Sequence, residues 1–243
     1  MNLLYERFHS GRKLQKRIIS KNDFTYRNLL HFLEKHGGNR AKILDIGCGV
    51  GTIDFYLAKH GQNVTGIDVS QNSISVAKKN ALRFRLNKKI AFQVMEFPNK
   101  IPNGRFDIII CSEVLEHLKH DKMAVEKIKT LLLPDGVLIA SSPSQSSPLY
   151  RLGLLNRFEK KVGHLRRYTE ETYRNLFENA GFKILETKKT EGILRNILFT
   201  NPIGGFSLKV LKRWPFSVVI TFLDDLAIPI FGESDIYIIA QKK

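Results

Sequence analysis

The feature that most constrains the fold of this 243-residue chain is a glycine loop between a short strand and a helix. Residues 42–46 have the β-branched, apolar character of a buried parallel strand. We expect a helix over 52–60 and a second strand over 63–68 that ends at Asp68. Between the first strand and the helix lie three glycines that let the backbone turn sharply and approach a ligand closely: Gly47, Gly49 and Gly51. The sequence therefore predicts a strand–helix–strand unit with a ligand at its edge.

The spacing of the loop indicates the kind of ligand. Dinucleotide enzymes usually carry G-x-G-x-x-G, in which a helix N-terminus binds a pyrophosphate. Here the pattern is G-x-G-x-G, and Asp45 precedes it. An acid at that place repels phosphate and suits a cationic ligand, while Asp68, roughly 20 residues after the loop, suits the two ribose hydroxyls of an adenosine.

With both carboxylates in place, the chain resembles the class I S-adenosylmethionine (SAM)-dependent methyltransferases. The resemblance implies that Asp45 lies near the methionyl end of SAM, that the loop passes beneath it, and that Asp68 holds the ribose. In relatives an Asp after the third strand meets the adenine amino group, whereas this chain has Met95 and Glu96 there, so Glu96 is the candidate. The implied cofactor-binding set is Asp45, Gly47, Cys48, Gly49, Gly51, Asp68, Val69, Glu96 and Cys111.

Strands and helices continue to alternate after this unit. Such alternation predicts a doubly wound, mostly parallel sheet, seven-stranded if the resemblance holds, with ligands beyond the carboxyl ends of the strands. Ser70 is an expected helix N-cap, Thr169 and Thr172 are both candidate caps of a later helix, and Pro134-Asp135-Gly136 is expected to be a turn. The remaining elements are helices at 70–85, 120–132 and 169–180, and strands at 90–95, 106–111, 137–141, from 181 onward and at 235–240.

Three segments follow from this reading: a basic helical segment 1–40, a SAM-binding core 41–190 with 233–243, and an apolar insertion 191–232. In the resembled family a short hairpin usually joins the last two strands. The insertion is too apolar for a solvated loop. Four interpretations stay open: a lid over the substrate, a dimer surface, a membrane-interface element, or packing on the sheet edge.

A second cluster of candidate functional residues follows the fourth predicted strand. Glu113, Glu116 and His117 stand at i, i+3 and i+4, which places them on one face if the segment is helical. Two carboxylates and an imidazole can bind Mg²⁺, Mn²⁺ or Zn²⁺, and His164 is a fourth candidate ligand. The simpler alternative is that the neighbouring leucines pack inward while the polar residues make local hydrogen bonds.

This cluster looks like the E-x-x-E-H plus distal His arrangement of two metal-dependent groups, the ubiquinone-biosynthesis O-methyltransferases and the small-RNA 2′-O-methyltransferases. The resemblance implies an acceptor that presents neighbouring oxygens to the ion, which eases loss of the hydroxyl proton. Without a metal, His164 or His117 is the expected general base.

Composition and charge bear on the possible partners and location of the protein. The net charge of +16 suits a nucleic acid, an anionic membrane or an acidic substrate, or simply a lysine-rich soluble surface. The two cysteines favour reduced thiols, and no signal core begins the chain, so we expect a cytoplasmic protein, free or at a membrane. We expect SAM-dependent methyl transfer to an oxygen of a small or lipid-like acceptor. The alternatives are an RNA 2′-O-methyltransferase and an inactive SAM-binding partner subunit.

Overall fold

The computed structural model describes residues 14–38, 40–200 and 216–243. Part of the basic N-terminal cluster, including Arg7 and Arg12, and the central part of the insertion lie outside these residues. One seven-stranded sheet organises the described chain. Its strands are β1 Lys42–Ile46, β2 Asn63–Asp68, β3 Ile90–Val94, β4 Phe106–Ser112, β5 Leu132–Pro143, β6 Phe182–Thr190 and β7 Asp235–Lys242.

The strands lie in the order β3-β2-β1-β4-β5-β7-β6. The first five are parallel, and β7 runs antiparallel between β5 and β6. The chain order reverses between β1 and β4, so their carboxyl ends form the crevice where ligands bind in such sheets. The predicted doubly wound, mostly parallel sheet is confirmed.

Helices cover both faces of the sheet. Ser70 caps α3, since its side chain accepts a hydrogen bond from Ser73 N, and Thr169 caps α7 in a capping box with Thr172. The predicted caps Ser70 and Thr169 are confirmed, whereas Thr172 is the third residue of α7. The helices are α1 Arg27–His36, α2 Thr52–Lys59, α3 Gln71–Arg83, α4 Asp121–Leu131, α5 Pro148–Arg151, α6 Asn156–Val162, α7 Glu170–Asn179, α8 Ile193–Thr200 and α9 Phe216–Phe231.

Two apolar clusters form the core, one on each face of the sheet. The first packs α1, α2 and α3 on the sheet through residues such as Leu30, Phe55 and Ile74. The second packs α4 and α7 through residues such as Ile128 and Phe177. Strands buried on both sides are nearly all apolar, which is why residues 108–111 of β4 form an uninterrupted apolar run. Because helices pack on both faces of the sheet, the ends of its strands are fixed and hold the connecting loops in place.

The start of β5 differs from the prediction. The predicted turn at Pro134-Asp135-Gly136 lies inside β5, which begins five residues earlier than expected, at Leu132. Leu132 is fully buried and pairs with Phe106, and the register then shifts so that Val137 pairs with Ile108. The turn residues form a bulge in the strand, because burying Leu132 holds the chain in the sheet before it.

Candidate functional site

The glycine loop is tied to the end of β2 by backbone hydrogen bonds. The amides of Gly47 and Cys48 donate to the carbonyl of Ile67 at 2.8 and 3.0 Å. The Asp68 carboxylate accepts from Gly49 N at 2.9 Å and from Ser70 N at 2.8 Å. Asp68 therefore holds the loop in place as well as standing where a ribose is expected.

Gly51 ends the loop in a conformation that only glycine adopts easily. Its φ is 82°, and a Cβ there would lie 2.6 Å from Phe92 Cζ and 2.9 Å from Phe55 Cζ. The loop thus owes its shape to both backbone freedom and tight packing.

One cavity of about 310 Å³ opens beyond the ends of β1 and β2. Asp68 and Val69 line one side, and Met95, Glu96 and Phe97 line another. This is the place where the resemblance puts the ribose and adenine. Glu96 is exposed at the rim, so its carboxylate can reach an adenine amino group only from the edge of the cavity.

A second cavity of about 310 Å³ lies on the other side of the loop. Asp45, Cys48 and Gly49 line its base. The far walls carry the rings of Tyr26, Phe158 and His164. Four residues line both cavities, so these meet at one place: Gly47, Glu113, His117 and Val162. One elongated ligand can therefore extend from Asp68 past Asp45 to the aromatic walls.

A buried carboxyl pair underlies the second cavity. Asp45 and Asp54 are neighbours, and both carboxyl groups are buried. Burial and the nearby Asp54 raise the pKa of Asp45 well above its usual range, and burial raises the pKa of Asp54 to about 7. Both shifts favour the protonated over the ionised carboxyls, so the pair carries less than its full double negative charge near neutral pH, beside the place of a cationic ligand.

Sequence reasoning missed Asp54. The signal is visible in Thr-Ile-Asp-Phe-Tyr-Leu, where a single acid interrupts an apolar helical run. An acid buried in such a run needs a partner, and Asp45 at the end of β1 lies beside it.

Glu116, His117 and His164 form the candidate metal-binding group. One ligand atom from each lies within 4.8 Å of the others. The ring centroids of the two histidines are 4.8 Å apart. Glu116 is fully buried; its Oε2 accepts from Ser142 Oγ at 3.1 Å, whereas no hydrogen bond reaches Oε1 from the described residues. Burial and the nearby Glu113 raise the pKa of Glu116 well above its usual range, a situation that a cation would reverse.

Both histidines are oriented through Nδ1. His117 Nδ1 lies 3.3 Å from the carbonyl of Gly163, and His164 Nδ1 lies 3.0 Å from Glu159 Oε2. These oxygen partners favour a proton on Nδ1, which leaves Nε2 as the nitrogen suited to a metal or a proton. Burial, with His164 nearby, lowers the pKa of His117 to about 4, so its ring is neutral near pH 7.

Glu159 and Arg167, which sequence reasoning also missed, support His164 from behind. Arg167 Nη2 lies 2.7 Å from Glu159 Oε1, and both side chains are largely buried. Burial opposes the charge of Glu159, but hydrogen bonds from His164 and Arg167 outweigh it and lower its pKa to about 2. Glu159 is therefore an anion that holds the His164 ring.

Two residues lie outside the groups in which the sequence placed them. Glu113 has a φ of 57° and precedes a 3₁₀ turn at Leu115–His117, so it does not share a helical face with Glu116 and His117. Its Oε1 accepts from Ser141 Oγ at 2.9 Å instead. Cys111 is fully buried in the second core cluster and lines neither cavity, because side chains alternate along β4 and the next residue, Ser112, faces the second cavity.

The fold and this site define a class of protein: a Rossmann-like α/β enzyme that holds a cationic adenosine cofactor at the reversal of its strand order. A sequence model described as "Methyltransferase domain" matches residues 15–187, which is more than half of the chain. The chain belongs to the class I SAM-dependent methyltransferases, and SAM is its cofactor.

Curated relatives agree with this assignment. The ubiquinone biosynthesis O-methyltransferase of Idiomarina loihiensis is 29% identical over 183 residues, which are 74% of each chain. The protein of the same name from Coxiella burnetii is 39% identical over 108 residues, covering 44% of this chain and 46% of that one. In that second case the match spans less than half of the relative.

Solved structures support the fold. Magnesium protoporphyrin IX methyltransferase from Synechocystis, with bound S-adenosylhomocysteine (SAH), has a TM-score of 0.64 at 19% identity and covers 98% of this chain and 92% of that one. The N-methyltransferase NodS from Bradyrhizobium japonicum, also with SAH, has a TM-score of 0.63 at 17% identity and covers 99% of both chains. At such identities the likeness concerns the fold and not the acceptor.

Proposed function

We propose that this enzyme transfers the methyl group of SAM to an oxygen of a small or lipid-like aromatic acceptor, assisted by a divalent metal ion. The observation that carries the proposal is the group of Glu116, His117 and His164 beside the second cavity. The names of the two curated relatives support oxygen as the acceptor atom.

The two joined cavities support the placing of the cofactor. Adenosine would lie in the first cavity against Asp68, with Val69 and Glu96 beside it. The cationic methionyl end would lie over the glycine loop, where the buried carboxyls of Asp45 and Asp54 favour a positive charge. This arrangement would direct the methyl group toward His117, where the two cavities meet.

The ring-lined wall of the second cavity supports an aromatic acceptor. Tyr26 comes from the start of α1 and Phe158 from α6, and both face the cavity with His164. A flat acceptor between such rings is held by stacking and loses little conformational entropy. In this position its hydroxyl group would point toward His164 and His117.

The metal proposal passes a test of donor chemistry. Glu116 offers a buried oxygen without a hydrogen bond, and each histidine is oriented so that Nε2 faces away from its Nδ1 partner. Two imidazoles and one carboxylate suit Zn²⁺, Fe²⁺ or Mn²⁺ better than Mg²⁺. When bound, such an ion would stabilise the acceptor oxygen as an anion.

The protein's own residues would handle the proton. In methyl transfer the acceptor O–H bond breaks, an O–CH₃ bond forms, SAH leaves, and one proton is released. If no ion is bound, His164 is the proposed base, since Glu159 holds Nδ1 and stabilises the positive charge that the ring gains. His117, neutral near pH 7, is the second candidate.

The experiment that tests the function measures SAH formation with a vicinal dihydroxybenzene and with the matching monohydroxybenzene. We expect turnover with the diol at least about tenfold faster, since two neighbouring oxygens can bind one ion. Mass spectrometry should show a single methyl added to oxygen. Equal rates on both compounds, unchanged by chelator, would reject metal assistance, and methylation of nitrogen alone would reject the oxygen acceptor.

Metal titration of single variants tests which residues are ligands of the ion. Glu116→Gln should weaken Zn²⁺ or Mn²⁺ binding by at least about a hundredfold, because it removes an anionic ligand. Glu113→Gln is the control, since Glu113 lies outside the group, and should change metal affinity less than about threefold. If Glu113→Gln loses the metal and Glu116→Gln keeps it, the proposed ligand set is wrong.

A further inference from the structure

Helix α9 buries polar side chains and exposes apolar ones, which is the reverse of an ordinary surface helix. Its two buried side chains, Thr221 and Asp224, are polar. Its apolar side chains are exposed, with Phe222 at 66%, Leu226 at 63% and Ile230 at 76%. The same exposed set includes Val218, Val219, Leu223 and Phe231. A surface helix normally buries its apolar stripe, so this face is suited to a partner other than water.

The inverted orientation is fixed by specific hydrogen bonds. The Asp224 carboxylate accepts from the amides of Gly192, Leu194 and Arg195, at 2.8, 2.8 and 3.1 Å. It thereby satisfies donors at the start of α8 that would otherwise have no partner inside that helix. Since Asp224 must face α8, the apolar residues on the opposite side of α9 face outward.

The length of α9 favours a position along a surface. Its 16 residues extend about 24 Å, less than the ~30 Å of a bilayer core. None of the helices in the described parts of the chain is both long and apolar enough to cross a membrane. An apolar helix of this size can lie in the interface of a bilayer with one face in the acyl chains.

A basic groove adjoins the helix. This groove has a volume of about 870 Å³ and is lined by Lys21, Arg27 and Lys188 together with Val218 and Thr221 of α9. None of the three cations forms an ion pair with a described carboxylate, in contrast to Lys35 and Lys189, which do.

The groove also contains two carboxylates. Glu34 accepts a hydrogen bond from Tyr56, and Asp225 lies on α9. The cations therefore exceed the acids by one, within a chain of net charge +16. An apolar strip beside unpaired cations complements lipid tails beside anionic headgroups.

We propose that α9 and the adjoining groove, defined by Lys21, Arg27 and Lys188, form a docking surface for an anionic lipid bilayer. The apolar face would enter the interface while the three cations contact lipid phosphates. This proposal goes beyond methyl transfer and does not depend on the identity of the acceptor or on a metal. The groove shares the segment around Phe24 and Tyr26 with the second cavity, so a docked enzyme would hold its acceptor wall close to the membrane.

Vesicle binding by the full chain tests the proposal. The protein is sedimented with phosphatidylcholine vesicles, with and without phosphatidylglycerol. We expect binding to the anionic vesicles, at least about tenfold weaker binding to the neutral ones, and further weakening as salt is added. Absence of binding to anionic vesicles at low salt would overturn the proposal.

Two variants with matched controls assign the binding to this surface. Phe222→Ser with Leu226→Ser should weaken binding to anionic vesicles by at least about a hundredfold. Leu82→Ser is its control, because Leu82 on α3 is 63% exposed but lies on another helix, and it should have little effect. The triple change of Lys21, Arg27 and Lys188 to Gln should weaken binding about a hundredfold.

The charge control is the triple change of Lys78, Lys79 and Lys88 to Gln, which removes the same net charge elsewhere. If both triple variants weaken binding equally, general basicity and not this surface is responsible, and the proposal is overturned. Sedimentation velocity tests whether a second copy of the chain, rather than a membrane, covers α9. A stable dimer that Phe222→Ser with Leu226→Ser dissociates would show that a second copy covers α9, which also overturns the proposal.

Discussion

The donor side and the acceptor side of the site are built in different ways. On the donor side, the glycine loop is held by backbone amides that bond to Ile67 and Asp68 on the next strand. On the acceptor side, Glu116, His117 and His164 meet only because separate segments pack together, as in the contact of His117 with Gly163, 46 residues later. The comparison shows that a motif set by local backbone geometry can be recognised in the sequence. A group of side chains from separate segments cannot, because it depends on long-range packing.

The largest expected effect tests the donor side. Gly51→Ala adds a Cβ within 3 Å of two phenylalanine rings at a φ of 82°. Overpacking and backbone strain together should lower the free energy of unfolding by about 4 kcal/mol, measured by urea denaturation.

Gly61→Ala is the control for backbone strain alone. Gly61 has a φ of 94°, but a Cβ there meets nothing within 4 Å, so we expect a loss of about 1–2 kcal/mol. If the two variants are equally unstable, packing against Phe55 and Phe92 does not shape the loop, and the contrast between the two sides weakens.

The next effect concerns Asp68. Asn keeps one oxygen acceptor, but two backbone amides now compete for it and the charge is lost. Asp68→Asn should weaken SAM and SAH binding about a hundredfold, measured by calorimetry. Glu96→Gln at the exposed rim should change affinity less than about threefold. An equal loss in both variants would mean that the adenine contact matters as much as the loop.

A smaller effect is expected for Glu159 on the acceptor side. Glu159→Gln removes the anion that holds His164 and pairs with Arg167. We expect metal affinity to fall about tenfold, by titration with Zn²⁺ or Mn²⁺. The matched control is Glu178→Gln, which breaks an exposed pair with Arg174 and should leave metal binding unchanged. An unchanged affinity in Glu159→Gln would show that the ring of His164 is held by packing alone.

The smallest expected effect is a pH dependence at Asp54. Its folded-state pKa of about 7 is above its ordinary value of 3.8, so the folded protein binds more protons between these values and loses stability as the pH rises through them. Asp54→Asn should remove part of this loss and be more stable than the parent by about 1 kcal/mol at pH 8, with little difference near pH 4. Urea unfolding at the two pH values measures the difference, and a pH-independent difference would contradict the raised pKa of Asp54.

Most of the fold was predictable because its signals are local. The period of the apolar strands, the caps at Ser70 and Thr169, and the glycine loop each depend on a few consecutive residues. The predicted start of the fifth strand at residue 137 was wrong for the opposite reason: pairing of Leu132 with distant Phe106 extends the strand across the turn sequence Pro134-Asp135-Gly136.

The candidate site was predictable only in part. Glu116, His117 and His164 were singled out by residue type and lie together, but Glu113 was expected with them and is turned away by its positive φ. Asp54, Glu159 and Arg167 escaped attention because their roles come from burial and from partners elsewhere in the chain.

The sequence by itself determined the parallel sheet, the ligand-binding loop and the chemical class of the cofactor, because the spacing of glycines and acids directly sets backbone geometry and local charge. Tertiary structure alone decided which carboxyls are buried side by side, which histidines meet, and which face of α9 points outward. These features depend on packing between residues far apart in the chain, where the free energy of burying a charge or capping a helix outweighs any local preference.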